Sequence, residues 1–116
     1  MQVSIFNKLL STLSVLIIMS AISLKVQAAD FEIKLNIKNH KFQPAELKAP
    51  AKQRIKLIIH NQDEGAEEFE SKSLKREKII PGGTKATIYI GPLQPGKYTF
   101  MGEFHQATAQ GVIVVE

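Results

Sequence analysis

The stretch that decides the fold is Gly96-Lys97-Tyr98-Thr99-Phe100-Met101-Gly102-Glu103-Phe104-His105-Gln106-Ala107-Thr108-Ala109-Gln110-Gly111-Val112-Ile113-Val114-Val115-Glu116. Tyr98 and Phe100 alternate with Lys97, Thr99 and Met101. That period of two marks a half-buried strand. Gly111 to Val115 is a short apolar run of the kind that closes a sheet. Between them lies a loop with a carboxylate, Glu103, and an imidazole, His105, two residues apart. Two strands joined by a loop that carries ligand-type side chains are a frame for a binding site at one end of a β-structure.

The rest of the downstream chain has the same grain. Phe31, Ile33, Leu35 and Ile37 alternate with Glu32, Lys34, Asn36 and Lys38, which predicts another half-buried strand. Phe42-Gln43-Pro44 reads as a bend, because proline removes a donor and fixes φ. Ala45 to Ala49 reads as a short edge strand. Arg54 to His60 puts Ile55, Leu57 and Ile59 on one face, and Asn61-Gln62-Asp63-Glu64-Gly65 follows as a turn. Phe69 heads a further short strand. Ser73 to Lys78 is polar and reads as a loop or one helical turn. Pro81-Gly82-Gly83 is a turn, and Thr84 to Ile90 alternates again. No stretch after residue 28 has helical periodicity. Short strands punctuated by Gly and Pro predict an all-β sandwich or barrel.

Residues 1–28 have the pattern of a secretory signal peptide. Lys8 is basic, Leu9 to Leu24 carries no charge, and Val26-Gln27-Ala28 fits a cleavage site. The uncharged run of 16 residues is shorter than the roughly 20 needed to span a bilayer. Cleavage after Ala28 would leave residues 29–116 as one domain in the periplasm. That segment holds all 11 acidic residues and 13 of the 15 basic ones, for a net charge of about +2. The basic residues are mixed with acids and lack interleaved aromatics, which argues against nucleic acid as a partner. The chain has no cysteine, so neither a disulfide nor a thiolate contributes to it.

The candidate ligands are oxygen-rich. Glu67, Glu68, Glu70 and Glu103 accompany His105, and carboxylates with an imidazole suit iron or manganese and accept Cu(II) or Zn(II). On the residues alone, the same acids also read as a solvated face that keeps a strand edge unpaired. His60 ends an apolar strand, and His40 lies in a Lys-rich turn. Met101 is a soft donor that could equally be a packing residue. Lys72, Lys75, Arg76 and Lys78 form a basic cluster after the acidic one. No nucleophile elbow or phosphate-cradling glycine loop is present, so the residues leave open whether any turnover occurs.

Phe42-x-Pro44, His60-Asn61-Gln62-Asp63, Glu67-Glu68-Phe69, Pro81-Gly82-Gly83, Gly96 to Phe100, His105 and Gly111 to Val115, in this order, resemble bacterial cupredoxin-like domains. The resemblance covers nearly all of residues 29–116 and implies a single Greek-key β-sandwich of about seven strands. A blue-copper site uses two His, one Cys and a weak axial Met. Carried over by position, the first His corresponds to Glu67, the Cys to Gly102, the second His to His105, and the Met to Thr108 or Ala109. One ligand of four is present, which excludes a blue electron-transfer centre.

Glu67 to Ser71 and Gly102 to His105 look most like the small periplasmic cupredoxin-like proteins of Ftr-type ferrous iron uptake systems. That likeness implies a metal-handling accessory with Glu67, Glu103 and His105 around an iron or copper ion. The implied partners are a periplasmic iron-binding protein and a membrane iron permease, and the implied activity is iron binding, oxidation or hand-over. The fold would bring Glu67 towards Glu103 and His105 at one end. Two other functions remain: a sandwich that serves only as an interaction module, and a periplasmic copper chaperone using His105 with Met101.

Overall fold

A computed structural model describes residues 29–116; the leader read over residues 1–28 lies outside the described residues. Nine strands follow in order: β1 (Phe31–Lys38), β2 (Lys41–Gln43), β3 (Glu46–Ala49), β4 (Ile55–Asn61), β5 (Glu67–Ser71), β6 (Arg76–Ile80), β7 (Lys85–Ile90), β8 (Gly96–Gly102) and β9 (Gln110–Val115). A single 3₁₀ turn, Glu103–His105, separates β8 from β9. The strands form two sheets, β2-β1-β4-β7 and β3-β9-β8-β5-β6. The all-β cupredoxin-like sandwich expected from the alternation is present, with nine strands where about seven were expected.

The two extra strands have separate causes. β2 is three residues long, too short to display a period, so the sequence shows only the bend before Pro44. β6 begins inside the polar segment Ser73 to Lys78, which reads as a loop or helical turn. Its first four residues are exposed and only Ile80 is buried, because it is the outer strand of its sheet. An edge strand that faces water on most positions lacks the alternation that a buried face imposes.

The core is where the two inner faces meet. Leu35 and Ile37 of β1, Ile55, Leu57 and Ile59 of β4, Phe69 of β5 and Ile113 of β9 have no solvent exposure. Each such side chain contributes about 1.5–3 kcal/mol by leaving water. Phe42, Phe69 and Phe100 join the sheets. Their ring centroids lie 4.9 Å apart for Phe42–Phe100, edge to face, and 5.2 Å for Phe69–Phe100, stacked. Such pairs add about 0.5–1.5 kcal/mol beyond burial.

Two parallel pairings set the geometry of the site. β1 pairs with β4 in parallel, Phe31 opposite Ile55 through Ile37 opposite Asn61. β3 pairs with β9 in parallel, Glu46 opposite Val112 through Ala49 opposite Val115. Hence the β1–β2 turn, the β4–β5 turn and the β8–β9 connection gather at one end of the sandwich. Direct bonds tie them together. The Thr108 hydroxyl donates to the His40 carbonyl at 2.6 Å. The Asp63 carboxylate accepts the Asn39 and His40 amides at 2.8 and 3.0 Å.

Candidate metal centre

Glu67 opens β5, and strand parity sends it inward on the same face as Phe69. A carboxylate buried to 1 % exposure requires partners, and Glu67 has three. Oε1 accepts the amide of Glu68 at 3.1 Å and that of Phe104 at 2.9 Å. Oε2 meets Nδ1 of His105 at 2.5 Å. As a carboxylate, Glu67 can only accept, so Nδ1 of His105 carries the proton. In the neutral ring this leaves the lone pair on Nε2.

The 3₁₀ turn presents His105. The His105 carbonyl accepts the amides of Thr108 and Ala109 at 3.1 and 2.8 Å, which closes the loop back onto β9. The Gly102 amide donates to the Ala109 carbonyl at 2.8 Å. The imidazole remains 30 % exposed while the Glu67 side chain is 2 % exposed. The site therefore has a buried anionic base and an open imidazole mouth.

His40 covers one face of that imidazole. The two ring centroids are 3.6 Å apart and the planes differ by 11°. Asn39 and His40 have φ of 52° and 57°, both left-handed, which makes the β1–β2 connection a tight two-residue hairpin turn. Its two amides are those held by Asp63. These hydrogen bonds, the amide of His40 foremost, hold the Asp63 carboxyl below its ordinary range, with the nearby His40 and His105 acting in the same direction. Asn61 supports this corner from beneath. It is fully buried, donates to the Gly65 and Ile80 carbonyls at 2.9 and 3.0 Å, and accepts the Asp63 amide at 3.1 Å.

The other sequence-predicted residues divide clearly. Glu67 and His105 come together across 38 residues of chain. Glu103 lies near Glu70. The Glu103 carboxyl beside it holds the Glu70 carboxyl above its ordinary value, and the negative charges of Glu77 and Glu68 add to the effect. Glu68 and Glu70 lie on the outward face of β5, as the parity about Phe69 requires. With Glu77 they form the group of three carboxylates, among the described residues, whose oxygens lie within 4.8 Å of one another. Met101 is directly opposite Glu70, on the outward face, whereas Gly102 faces inward opposite Phe69. His60 is on β4 between the buried Ile59 and Asn61, on the face turned away from the core. His40, Asp63 and Thr108 were not selected as functional by their spacing. The legible signal was Asn39-His40 directly after an alternating run, a turn sequence that permits left-handed backbone.

A model of the cupredoxin-like domain matches residues 10–115. The chain belongs to the cupredoxin-like domain family. A relative, Uncharacterized protein RP394 of Rickettsia prowazekii (strain Madrid E), is 51 % identical over 84 residues, covering 72 % of this chain and 67 % of the relative. Auracyanin A, a "blue" copper protein from Chloroflexus aurantiacus, superposes with a TM-score of 0.66 at 14 % identity, over 76 % of this chain and all of that one. The metal-binding domain of the Cu(I)-exporting P-type ATPase CopA of Streptococcus pneumoniae, solved with Cu(I), gives 0.69 at 13 % identity, over 79 % and 91 %. These two likenesses establish the fold.

This cupredoxin-like domain does not fit a blue-copper ion. It has no cysteine to supply the thiolate. The inward position at the end of β8 is Gly102, where an added Cβ would stand 2.6 Å from Cδ of Glu67 and 2.6 Å from Cβ of Ala109. The Glu67 carboxyl fills the space that a side chain at 102 would enter. What the domain offers a metal is the rim: Nε2 of His105, the ring of His40, and carboxylates close by.

Proposed function

We propose that this chain is an exported metal-handling protein that binds an ion reversibly through Nε2 of His105 and passes it on, with no buried redox centre. One observation carries the reading: the bond from His105 Nδ1 to the buried Glu67 carboxylate. Metal-ligating histidines characteristically donate their second ring N–H to a carboxylate, which sets the tautomer, aims the ring and raises its basicity. In this reading Glu67 is a positioning residue and His105 the ligand. Partial exposure of the ring suits exchange with solvent or a partner. The related domains that carry copper, and the leader-like residues 1–28, support metal handling in the periplasm.

Imidazole donors favour Cu(II) or Zn(II). Service to a ferrous iron uptake system, with hand-over to an iron permease, is the second reading. It draws support from the outward carboxylates Glu68, Glu70 and Glu77, whose oxygen donors suit iron.

Calorimetric titration of the purified chain with Cu(II), Zn(II) and Fe(III) tests both. Cu(II) or Zn(II) binding that is abolished in His105→Gln supports the first reading. Fe(III) binding that survives His105→Gln but is lost in Glu70→Gln/Glu77→Gln supports the second. Absence of binding for every ion refutes metal handling and leaves the interaction module.

A further inference from the structure

We infer that His40 is a second ligand for the ion held by His105, so that the rim of the sandwich forms a two-imidazole site for a borderline divalent cation, foremost Cu(II). This rests on the reading of His105 as a ligand and deepens it.

The argument begins with the effort spent on positioning His40. It has a left-handed backbone, φ 57°, which a non-glycine residue adopts uncommonly and at some cost in strain. Three segments distant in sequence hold it there. Asp63 accepts its amide at 3.0 Å, and Thr108 donates to its carbonyl at 2.6 Å. Its strand β1 is registered against β4 over seven residue pairs. Every one of these restraints acts on the backbone. Among the described residues, the ring itself makes no hydrogen bond, and the residue is exposed. The restraints thus deliver a free imidazole to within 3.6 Å of a second imidazole that is already oriented.

Chemistry then assigns the roles. The His105 ring is held through Nδ1 by Glu67 and presents Nε2. Parallel rings aim their in-plane lone pairs alongside one another, so a shared ion requires one ring to tilt. His105 is tied by Glu67, while the exposed His40 ring makes no hydrogen bond among the described residues. His40 is therefore the ligand that closes onto the ion. Two neutral imidazoles select among divalent ions in the order that peaks at Cu(II), and they discriminate against harder cations such as Fe(III). The Asp63 carboxylate, bonded to the His40 amide, and the Glu67 carboxylate, bonded to the His105 ring, supply negative charge that balances a dication.

The test compares His40→Asn, His105→Gln and the control His60→Gln, in the full chain, by Cu(II) calorimetry and by electron paramagnetic resonance. Asparagine tolerates the left-handed backbone at 40, and glutamine at 105 retains an N–H for Glu67, so both variants keep the hairpin and the buried pair. Circular dichroism checks the fold. The expected result is two-nitrogen coupling in the wild-type spectrum, at least a tenfold weaker affinity with one-nitrogen coupling in His40→Asn, loss of binding in His105→Gln, and no change in His60→Gln. Binding lost in His105→Gln but unaltered in His40→Asn, with one nitrogen in the wild type, overturns the role of His40 alone. Binding that persists in His105→Gln, or absence of Cu(II) binding in the wild type, overturns this site together with the reading it rests on.

Discussion

Glu67→Gln isolates the charge at the base of the site from its shape. Glutamine is nearly isosteric, and its orientation is dictated: the amides of Glu68 and Phe104 both point at the Oε1 position, so the side-chain carbonyl must occupy it. The NH₂ group then faces Nδ1 of His105. Two donors cannot share that contact, so the His105 proton must move to Nε2. Hydrogen bonds to a charged acceptor contribute about 1.5–3 kcal/mol and neutral ones about 0.5–1.5. Weakening three of them is offset in part because a neutral amide is cheaper to bury. The net loss should be about 1–2 kcal/mol, which for a domain of 88 residues lowers Tm by roughly 4–16 °C. Calorimetry reads the stability, and ring ¹⁵N–¹H correlation spectra read the tautomer of His105. The same substitution should abolish metal binding at His105, because Nε2 no longer offers a lone pair. A stability change below about 0.5 kcal/mol, together with a His105 ring still protonated at Nδ1, would show that the buried pair does not act as described.

Three further outcomes follow from the same geometry. Gly82→Ala should cost about 3 kcal/mol or more, because its Cβ would overlap the Glu64 carbonyl oxygen, a backbone atom that cannot rotate away; urea unfolding within 1 kcal/mol of wild type contradicts this. Asp63 has a folded pKa below its ordinary value of 3.8. Its contribution to stability is therefore complete above that value and lost as pH falls through the depressed one. Asp63→Asn should flatten the dependence of the urea midpoint on pH below about 4, and an unchanged acid limb tells against the hairpin bonds. Glu77→Gln should raise Tm at neutral pH and low salt, since Glu77 stands directly across from Glu70 and like charges in register repel. That gain should shrink in high salt, and a lowered Tm at low salt refutes it.

The outcome for particular elements explains what could be read in advance. β1, β4 and β7 were legible because one face of each is buried and the other faces water. β6 was not legible, as four of its five residues are exposed. Glu67 was legible through parity: if Phe69 points inward, so does the residue two before it. Where Glu103 points was not legible, because proximity in the loop says nothing about direction. The 3₁₀ turn sends Glu103 to Glu70 and His105 to Glu67.

Local order determined which side chains face the core, where the chain bends, and that no thiolate can hold a metal. These follow from neighbours along the chain, from the two-residue period and from composition alone. Tertiary structure decided that His40 lies on His105, that Asp63 and Thr108 hold the hairpin, and that a buried carboxylate occupies the space facing Gly102. Those contacts join residues up to 68 positions apart, and only the parallel pairings β1–β4 and β3–β9 determine which ends of the chain meet.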